Sequence, residues 1–147
     1  MFKNILVPTD GSKLSQKAVK EAIELARDSK AKVTALHVFP KFSGSPYGTF
    51  GPAEDVLEEA HRNFAKAEGT RLFASLQKAA DSASVAFDSV IVESNDVSQQ
   101  IIATAKKKKC DLICMASHGR RGLAGLLLGS ETHKVLTHSE IPVLVLR

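Results

Sequence analysis

Residues 111–119 read DLICMASHG, an apolar run that ends in small and polar residues and a glycine. The run does not alternate between apolar and polar residues, which is typical of a strand buried on both faces of a parallel sheet. A similar order of residues, NILVPTDGS, occupies positions 4–12. In a doubly wound sheet, two such strands can end side by side at the point where ligands bind. These two segments therefore predict both the fold class and the place of a site.

Further apolar runs and helical patterns extend this prediction to the whole chain. The predicted strands cover residues 4–8, 32–39, 85–92, 111–116 and 141–147. The predicted helices cover residues 13–27, 53–83, 97–107 and 130–138. Strands that alternate with helices predict an α/β fold with right-handed crossovers. We expect one domain, residues 1–147, with a Rossmann-like open sheet of five mainly parallel strands in the order 3-2-1-4-5 and about four helices on both faces.

The helix predicted for residues 53–83 is expected to bury one apolar side along its length. In its first half that side consists of Val56, Leu57, Ala60, Phe64 and Ala67, and it continues inward with Leu72, Leu76 and Ala80. The helix at 97–107 has Asp96 as its predicted N-cap, with Gln99 three residues later in the manner of a capping box. The segment 40–53 between the second strand and the long helix is rich in Gly, Pro and Ser, so we expect a long loop that is either a functional lid or disordered.

Composition and charge exclude several classes of protein. The 147 residues are 44% hydrophobic and 24% charged, with a formal net charge of +4, as in globular proteins that need no membrane. The run Lys106–Lys109 is either a solvated helix end, favourable against the helix dipole, or a polyanion patch; we expect no nucleic-acid partner. No apolar run approaches the ~20 residues of a membrane span, and no signal peptide is recognisable. A cytoplasmic protein is expected.

The two cysteines are expected to be reduced core residues. Cys110 and Cys114 lie four residues apart at a strand, which separates them by roughly 13 Å at ~3.3 Å per residue. A disulfide needs Cα atoms within about 7 Å, so the two cannot pair with each other. They also lack nearby partners at zinc-site spacing.

The stretch MASHGRRGLAGLLLGS at residues 115–130 is unusually rich in glycine. If a helix begins at Ser130, then Gly129, the hydroxyls of Ser130 and Thr132 and the free N–H groups of the first turn form an anion site. In the alternative, Gly129 only allows a turn and Ser130 only caps the helix. Neither the G-x-x-x-x-G-K-[ST] phosphate loop nor the G-x-G-x-x-G dinucleotide motif is present, and no G-x-S-x-G elbow exists.

From Lys3 to Arg147 the chain resembles a universal stress protein of the small, single-domain type. The landmarks are KNILVPTDGS at 3–12, LHV at 36–38, DLICMASHG at 111–119, GS at 129–130 and IPVLVLR at 141–147. ATP-binding members of that family carry a glycine, two residues, a second glycine, nine residues and then Gly-Ser or Gly-Thr. In this chain the second glycine is Gly119, the nine-residue spacing leads to Gly129, and Ala116 replaces the first glycine.

The resemblance implies a nucleotide site at the strand ends. Pro8, Thr9 and Asp10 would flank the adenosine, with Asp10 reaching the ribose or a phosphate-bound metal. Backbone groups of Val38 would meet the adenine edge, and Met115 would form an apolar wall. The residues implied at the phosphates are Ala116, Ser117, His118, Gly119, Gly129, Ser130, Glu131 and Thr132.

Several of these positions also have a purely structural explanation. Residues 10–12 are either part of the site or only a turn and a helix cap, and Val38 and Met115 are either ligand contacts or core. The alternative for His118 is that it is only an exposed loop residue. Arg120 and Arg121 are either phosphate contacts or solvated loop charges. The run LAGLLL at 123–128 either closes over the nucleotide or faces a partner subunit.

The resemblance leads to three functional hypotheses. The first is an ATP-binding stress-response protein, with ADP or AMP as alternative ligands and Mg²⁺ or Mn²⁺ bound with the nucleotide, that acts as a homodimer through residues 142–147. The second is a dimeric interaction module whose nucleotide site is vestigial because of Ala116. The third is a slow ATPase or phosphotransferase. We expect binding rather than catalysis, because Asp10 is the only carboxylate implied at the phosphates and no general base is evident.

Overall fold

The computed structural model describes residues 1–44, 52–120 and 128–147. The strands are β1 (Asn4–Pro8), β2 (Lys32–Phe39), β3 (Phe87–Glu93), β4 (Leu112–Ala116) and β5 (Val143–Leu146). The helices are α1 (Lys13–Ser29), α2 (Pro52–Ser82), α3 (Val97–Lys107) and α4 (Ser130–His138). Three parts of the sequence predictions lie outside the described residues: positions 45–51 of the predicted 40–53 loop, Arg121, and positions 123–127 of the LAGLLL run.

The predicted strand order is confirmed. The five strands form one sheet in the order β3-β2-β1-β4-β5, and every neighbouring pair is parallel. The predicted strand bounds differ from the observed ones by at most two residues. The central strands β1 and β4 are buried almost throughout, whereas β3 and β5 at the two edges are half exposed. The continuous apolar runs therefore mark the strands that are covered on both faces.

The sheet has a separate hydrophobic core on each face. Alternate residues of β1 point to opposite sides: Ile5 packs with residues of α1 and α2, and Leu6 packs with residues of α3 and α4. On the second face, Ile101 of α3 and Val135 of α4 are fully buried. The predicted placement of helices on both faces is thus confirmed.

Side chains join the strands at the edge of the sheet where they begin. Asp111 Oδ1 accepts hydrogen bonds from the N–H groups of Lys3 (3.0 Å) and Asn4 (3.0 Å). The Asn4 amide nitrogen donates to the Lys108 carbonyl (2.8 Å), and its amide oxygen accepts from the Thr34 hydroxyl (3.0 Å). Asn4 and Thr34 are buried, so these contacts fix the relative positions of β1, β2 and the start of β4. We call this set of residues the strand-start clasp.

One prediction about α2 is wrong in its first half. Leu72 is partly buried, and Leu76 and Ala80 are in the core as expected. The first-half residues predicted on the buried side are instead exposed: Val56, Leu57, Ala60, Phe64 and Ala67. This part of α2 is held by its opposite side, where Arg62 pairs with Glu93 of β3 and Gly69 lies against Ile91 and His37. A glycine there lets the helix approach β3 closely, since a Cβ would fall 2.8 Å from Ile91 Cδ1.

Other local predictions concern the cysteines and helix α3. Cys110 and Cys114 are buried free thiols, and burial raises the pKa of Cys114 to about 12. Asp96 is the N-cap of α3 as predicted, because its carboxylate accepts from the Gln99 N–H (3.1 Å). The capping box is only half formed, since the Asp96 N–H donates to the Ser94 hydroxyl (3.1 Å) and not to Gln99. Lys106 and Lys107 are in the last turn of α3, where the helix dipole favours positive charge. Within the described ranges, no helix is both long and apolar enough to cross a membrane.

Candidate functional site at the ends of β1 and β4

The chain segments that follow β1 and β4 are in direct contact. The two strands are neighbours in the sheet, and beyond their ends the Arg120 N–H donates to Asp10 Oδ2, with 2.6 Å between nitrogen and oxygen. The two residues are 110 positions apart in sequence. The similar sequences at 4–12 and 111–119 therefore do end side by side, as predicted.

The segment after β1 forms a tight turn and a helix cap as well as this contact. Gly11 has a φ of +78°, a left-handed conformation that favours glycine. Asp10 Oδ1 accepts from the Ser12 N–H (3.0 Å), and the Ser12 hydroxyl accepts from the Ser15 N–H as the N-cap of α1. The structural explanation for residues 10–12 is thus correct in its geometry, while Oδ2 of Asp10 points across to the β4 segment.

Asp10 is ionised at neutral pH. Burial alone would raise the pKa of this carboxyl, but hydrogen bonds from Ser12 and from the Arg120 N–H outweigh it, so the pKa lies below its usual range. Each carboxylate oxygen accepts one backbone N–H, which leaves lone pairs for a further partner. A half-buried negative charge is therefore held at the junction of the two segments.

Thr9 fixes the start of the same segment to β2. Its N–H donates to the Leu36 carbonyl (2.8 Å), and its carbonyl accepts from Nδ1 of His37 (2.9 Å). The Thr9 hydroxyl is buried and bonds to the Ser15 hydroxyl (2.9 Å). Thr9 therefore supports the site through its backbone and keeps its hydroxyl inside the protein. Pro8, the last residue of β1, is partly exposed beside it.

The N-terminus of α4 lies against the end of β4. Gly129 is the N-cap, makes no side-chain cap bond, and donates its N–H to the Ser117 carbonyl (2.7 Å). Ser130 is the exposed first residue of α4, so the alternative that Ser130 caps the helix is wrong. The first N–H groups of a helix have no intrahelical acceptor. Those of Ser130, Glu131 and Thr132 have no acceptor among the described residues, so they are candidate donors to an outside acceptor.

Two glycines allow the segments to come this close. A Cβ on Gly129 would lie 3.1 Å from the Cα of His118, and a Cβ on Gly119 would lie 2.5 Å from Asp10 Oδ2. Neither glycine has a positive φ, so the requirement is space and not backbone conformation. Both glycines are those that the resemblance assigns to the phosphates.

The side chains of Glu131 and Thr132 have other partners than those expected. Glu131 Oε2 accepts from the Ser98 N–H at the start of α3 (2.9 Å), and Oε1 pairs with Lys134 (2.9 Å). The buried Thr132 hydroxyl donates to the Ala116 carbonyl (3.0 Å). The expectation that this hydroxyl meets a phosphate is corrected, because its proton is already used inside the protein. Only the backbone N–H groups of these two residues remain as candidate donors.

Thr132→Val is expected to lower the free energy of unfolding by ~1–3 kcal/mol, because it leaves the buried carbonyl of Ala116 without its hydroxyl donor. Thr132→Ser keeps the hydroxyl and serves as the matched control. Urea unfolding followed by circular dichroism measures both variants. Equal stability of the valine and serine variants would show that this hydrogen bond contributes nothing.

Comparison with known proteins identifies the family. The model of the universal stress protein family matches residues 1–147. The chain belongs to the universal stress protein family. A curated relative, universal stress protein MJ0531 of Methanocaldococcus jannaschii, is 33% identical over 150 aligned residues, which cover 100% of this chain and 83% of the relative.

Solved structures of the family superpose on the whole chain. Universal stress protein UspA from Lactobacillus plantarum has a TM-score of 0.84 at 26% identity, covering 99% of this chain and 97% of its own. A universal stress protein in complex with cAMP has a TM-score of 0.72 at 25% identity, covering 99% of this chain and 97% of its own. The five-stranded architecture is therefore that of the family.

In this universal stress protein, alanine at position 116 fits the backbone without strain. Ala116 is the last residue of β4 and has no positive φ. It is 7% exposed, so its Cβ lies almost wholly against protein atoms. The loss of the first motif glycine is therefore compatible with the conformation of the segment.

Two residues expected to contact the base belong to the core of this universal stress protein. Met115 is 5% exposed and packs in the cluster under α3 and α4. Val38, next to last in β2, packs against the same cluster and is partly exposed. Their side chains therefore line the interior, and Val38 retains some accessible surface.

The remaining loop residues lie around the Asp10–Arg120 contact. Ser117 is buried, and its hydroxyl lies 3.1 Å from Nδ1 of the partly exposed His118. Arg120 is exposed, and its guanidinium occupies the space beside Gly11, where a Cβ would fall 2.9 Å from Nη2. Arg120, which the sequence offers as a phosphate contact, thus lies between the β1 and β4 segments.

An open groove elsewhere in this universal stress protein shares no residue with the site. It has a volume of about 570 Å³ between α3 and α4, and its lining includes Ile102, Lys106, Lys134 and His138. Its two lysines form ion pairs with Glu140 and Glu131, so neither lysine is left unpaired to bind an anion in the groove. In the described part of the chain, no cluster of three or more His, Cys, Asp or Glu residues could hold a metal ion.

Proposed function

We propose that this universal stress protein binds an adenine nucleotide, with ATP as the principal ligand, at the junction of the β1 and β4 segments with the start of α4. The observation that carries the proposal is the joining of three segments by two hydrogen bonds from backbone N–H groups, Arg120 to the Asp10 carboxylate and Gly129 to the Ser117 carbonyl. The N-cap of α4 at this junction is Gly129, which has no side chain to bond the first N–H groups of the helix. An anion there would meet the first N–H groups of α4 and also the positive end of the helix dipole.

The phosphates would be bound mainly by backbone groups. The N–H groups of Ser130, Glu131 and Thr132, together with the exposed hydroxyl of Ser130, are the candidate donors. One anion at a helix N-terminus gains only ~0.3–1 kcal/mol at an exposed position, whereas micromolar affinity corresponds to about 8 kcal/mol. A nucleotide therefore needs the β1 segment and a base contact as well, which is why the direct contact between the two segments supports the proposal.

A metal ion would arrive with the nucleotide. Among the described residues, Asp10 is the carboxylate that lies between the β1 and β4 segments, and it is ionised and keeps free lone pairs. The Glu131 carboxylate at the start of α4 instead contacts Ser98 and Lys134. Oxygen ligands suit Mg²⁺, which is commonly held by one carboxylate and substrate phosphates. Asp10 is therefore the candidate ligand of a phosphate-bound Mg²⁺ or Mn²⁺, and the metal is expected to raise the affinity for ATP more than for AMP.

The relative that binds cAMP supports an adenine nucleotide as the ligand class. The two glycines with close approaches, Gly119 and Gly129, fit a site where the backbone meets a ligand. The alternative of a vestigial site loses its main argument at Ala116, whose backbone is unstrained and whose Cβ is buried. A slow ATPase is the third possibility. It has less support, because the Asp10 carboxylate already accepts two N–H groups and the Glu131 carboxylate is turned to Ser98 and Lys134.

Calorimetric titration with ATP, with and without Mg²⁺, tests the proposal. We expect saturable binding that is stronger with Mg²⁺. Titrations with AMP and cAMP, compared with ATP, measure how much the additional phosphates contribute to the affinity. Phosphate release is measured in the same samples. A rate no higher than that of buffer alone means binding without hydrolysis. Heats of dilution alone for every nucleotide would contradict the proposal.

We further propose a homodimer through β5. This strand is at the edge of the sheet and pairs only with β4 among the described residues, and proteins usually cover apolar edges. Leu144 is its outward apolar residue, 39% exposed. Deletion of residues 142–147 would also uncover β4, because Ile113 to Ala116 pair with β5, so a point substitution is the better test.

Leu144→Glu is expected to shift the chain from dimer to monomer, because it places a charge on the apolar edge of β5. Phe2→Glu is the matched control, since Phe2 is 36% exposed but precedes β1 at the opposite end of the strands. Sedimentation velocity at several concentrations measures both. A Leu144→Glu chain that remains dimeric would contradict an interface at β5.

A further inference from the structure

The first half of α2 carries an apolar stripe with the spacing of a coiled coil. Its members, at intervals of four, three, four and three residues, are Ala53, Leu57, Ala60, Phe64 and Ala67. All five are exposed, including Leu57 at 44% and Phe64 at 68%. Such alternation of three and four is the a/d pattern that packs one helix against another. We call these five residues the α2 seam.

The α2 seam lies on the side of the helix that faces away from the sheet. At about 100° per residue, the seam residues are roughly opposite Arg62, Gly69 and Leu76. Those three contact the body of the protein: Arg62 pairs with Glu93, Gly69 meets Ile91, and Leu76 is in the core. The helix is therefore fixed by one side, and the seam residues on its other side are exposed.

From this surface we infer that α2 pairs with α2 of a second copy of the chain, in antiparallel orientation. In one register Leu57 faces Ala67 of the second copy, and Phe64 faces Ala60. The two-fold symmetry of the pair repeats both contacts, so each of four layers sets a large residue against an alanine. A parallel pair would place Phe64 on Phe64 and Ala60 on Ala60, which leaves alternating crowded and empty layers.

Charge along the helix favours the same orientation. The first part of α2 contains only acidic charged residues, which are Glu54, Asp55, Glu58 and Glu59. The part from 61 to 71 is net basic, with Arg62, Lys66 and Arg71 against Glu68. Antiparallel pairing brings the acidic part of one copy to the basic part of the other, whereas parallel pairing would set like charges together. In the antiparallel register Arg71, which continues the seam spacing by four residues, comes opposite Ala53 and next to Glu54 of the second copy.

This contact is at a different edge of the molecule from the proposed β5 dimer. The helix packs on β3 and β2, and β3 and β5 are opposite edges of the sheet. Four layers of two short helix segments bury less than the about 800 Å² per partner of a standard interface. The pairing is therefore a weak self-association, and together with a β5 contact it would link dimers into larger assemblies.

Sedimentation of chains that carry Leu144→Glu tests the α2 contact apart from β5. In this background we expect a weight-average sedimentation coefficient that rises with concentration. Adding Phe64→Glu should weaken the association by about tenfold or more, as for a buried aromatic contact. Adding Ser75→Glu, an exposed position on α2 beyond the seam, should leave the association unchanged. A coefficient that is independent of concentration, or unaffected by Phe64→Glu, overturns the inference.

Site-specific cross-linking tests the orientation. The native thiols are buried, so a short bismaleimide reacts only with introduced cysteines. We would mix an untagged Leu57→Cys chain with an affinity-tagged Ala67→Cys chain. Antiparallel pairing predicts that the cross-linked product contains one chain of each kind. Products of two like chains, or none at a concentration where the chain associates, overturn it. Equal melting temperatures of the two cysteine variants and the parent chain verify that the helix is intact.

The melting temperature of Phe64→Glu is a further test. If Phe64→Glu lowers the melting temperature of a chain that does not associate, the seam is covered within its own chain, and this too overturns the inference.

Discussion

Replacing Gly129 with valine is expected to weaken ATP binding by at least about tenfold and to lower the stability of the protein. The Cβ would lie 3.1 Å from the Cα and 3.3 Å from the Cβ of His118, and 3.3 Å from the Ser117 carbonyl oxygen that accepts the Gly129 N–H. Backbone atoms cannot move aside as a flexible side chain does, so the start of α4 has to shift away from the end of β4. Overpacking of this kind costs typically ~1–3 kcal/mol, and the shift also removes N–H groups from the proposed phosphate position.

The control for this substitution is Ala80→Val. Ala80 is fully buried near the end of α2, so the larger side chain overpacks the core in the same way, but at a position outside the site. We expect it to change the melting temperature without changing the affinity for ATP. Calorimetric titration and thermal unfolding of both variants separate the two effects. An unchanged ATP titration curve for Gly129→Val would remove the start of α4 from the site.

Gly119→Ala is expected to break the contact that joins the β1 and β4 segments. Its Cβ would fall 2.5 Å from Asp10 Oδ2, the oxygen that accepts the Arg120 N–H. Asp10 then has to turn away, and a hydrogen bond to a charged group, worth about 1.5–3 kcal/mol, is lost. If Asp10 holds the nucleotide-bound metal, the affinity for Mg-ATP falls by about tenfold, which corresponds to 1.4 kcal/mol.

A double-mutant cycle with Asp10→Ala shows whether the effect runs through this carboxylate. In the Asp10→Ala background the methyl group of Gly119→Ala has no oxygen to displace, so we expect little further loss of affinity. Independent effects would add, and coupled residues deviate from additivity by ~0.5–3 kcal/mol. Full additivity in Mg-ATP titrations would mean that Gly119 and Asp10 act separately.

The sheet could be predicted from the sequence because its signal is in single segments. The runs at β1 and β4 are apolar without alternation, and that pattern has few explanations other than a strand covered on both faces. The first half of α2 was mispredicted for a related reason. Apolar residues at helical spacing show that one side avoids water, but they do not show whether the protein itself or a second chain covers that side. The side that holds this segment uses Arg62 and Gly69, which a hydrophobic pattern does not detect.

The candidate site could be predicted in position but not in its contacts. Gly119 and Gly129 are visible as glycines, whereas the hydrogen bonds that matter use the backbone N–H groups of Arg120 and Gly129. A backbone donor leaves no trace in residue type. The Thr132 hydroxyl was assigned to the phosphate because its inner acceptor, the Ala116 carbonyl, is equally invisible in sequence. The Glu131 contact to the start of α3 was missed since it depends on how two helices lie on the sheet.

The strand-start clasp has a consequence for how such a protein can be altered. Asn4, Thr34 and Asp111 join β1 to β2 and to the start of β4, at the end of the strands remote from Asp10 and Gly129. These contacts do not involve the connecting segments at the other end of the strands, so those segments can diverge in sequence without disturbing them. Transplanting those segments between relatives should carry ligand preference with them and leave the scaffold unchanged.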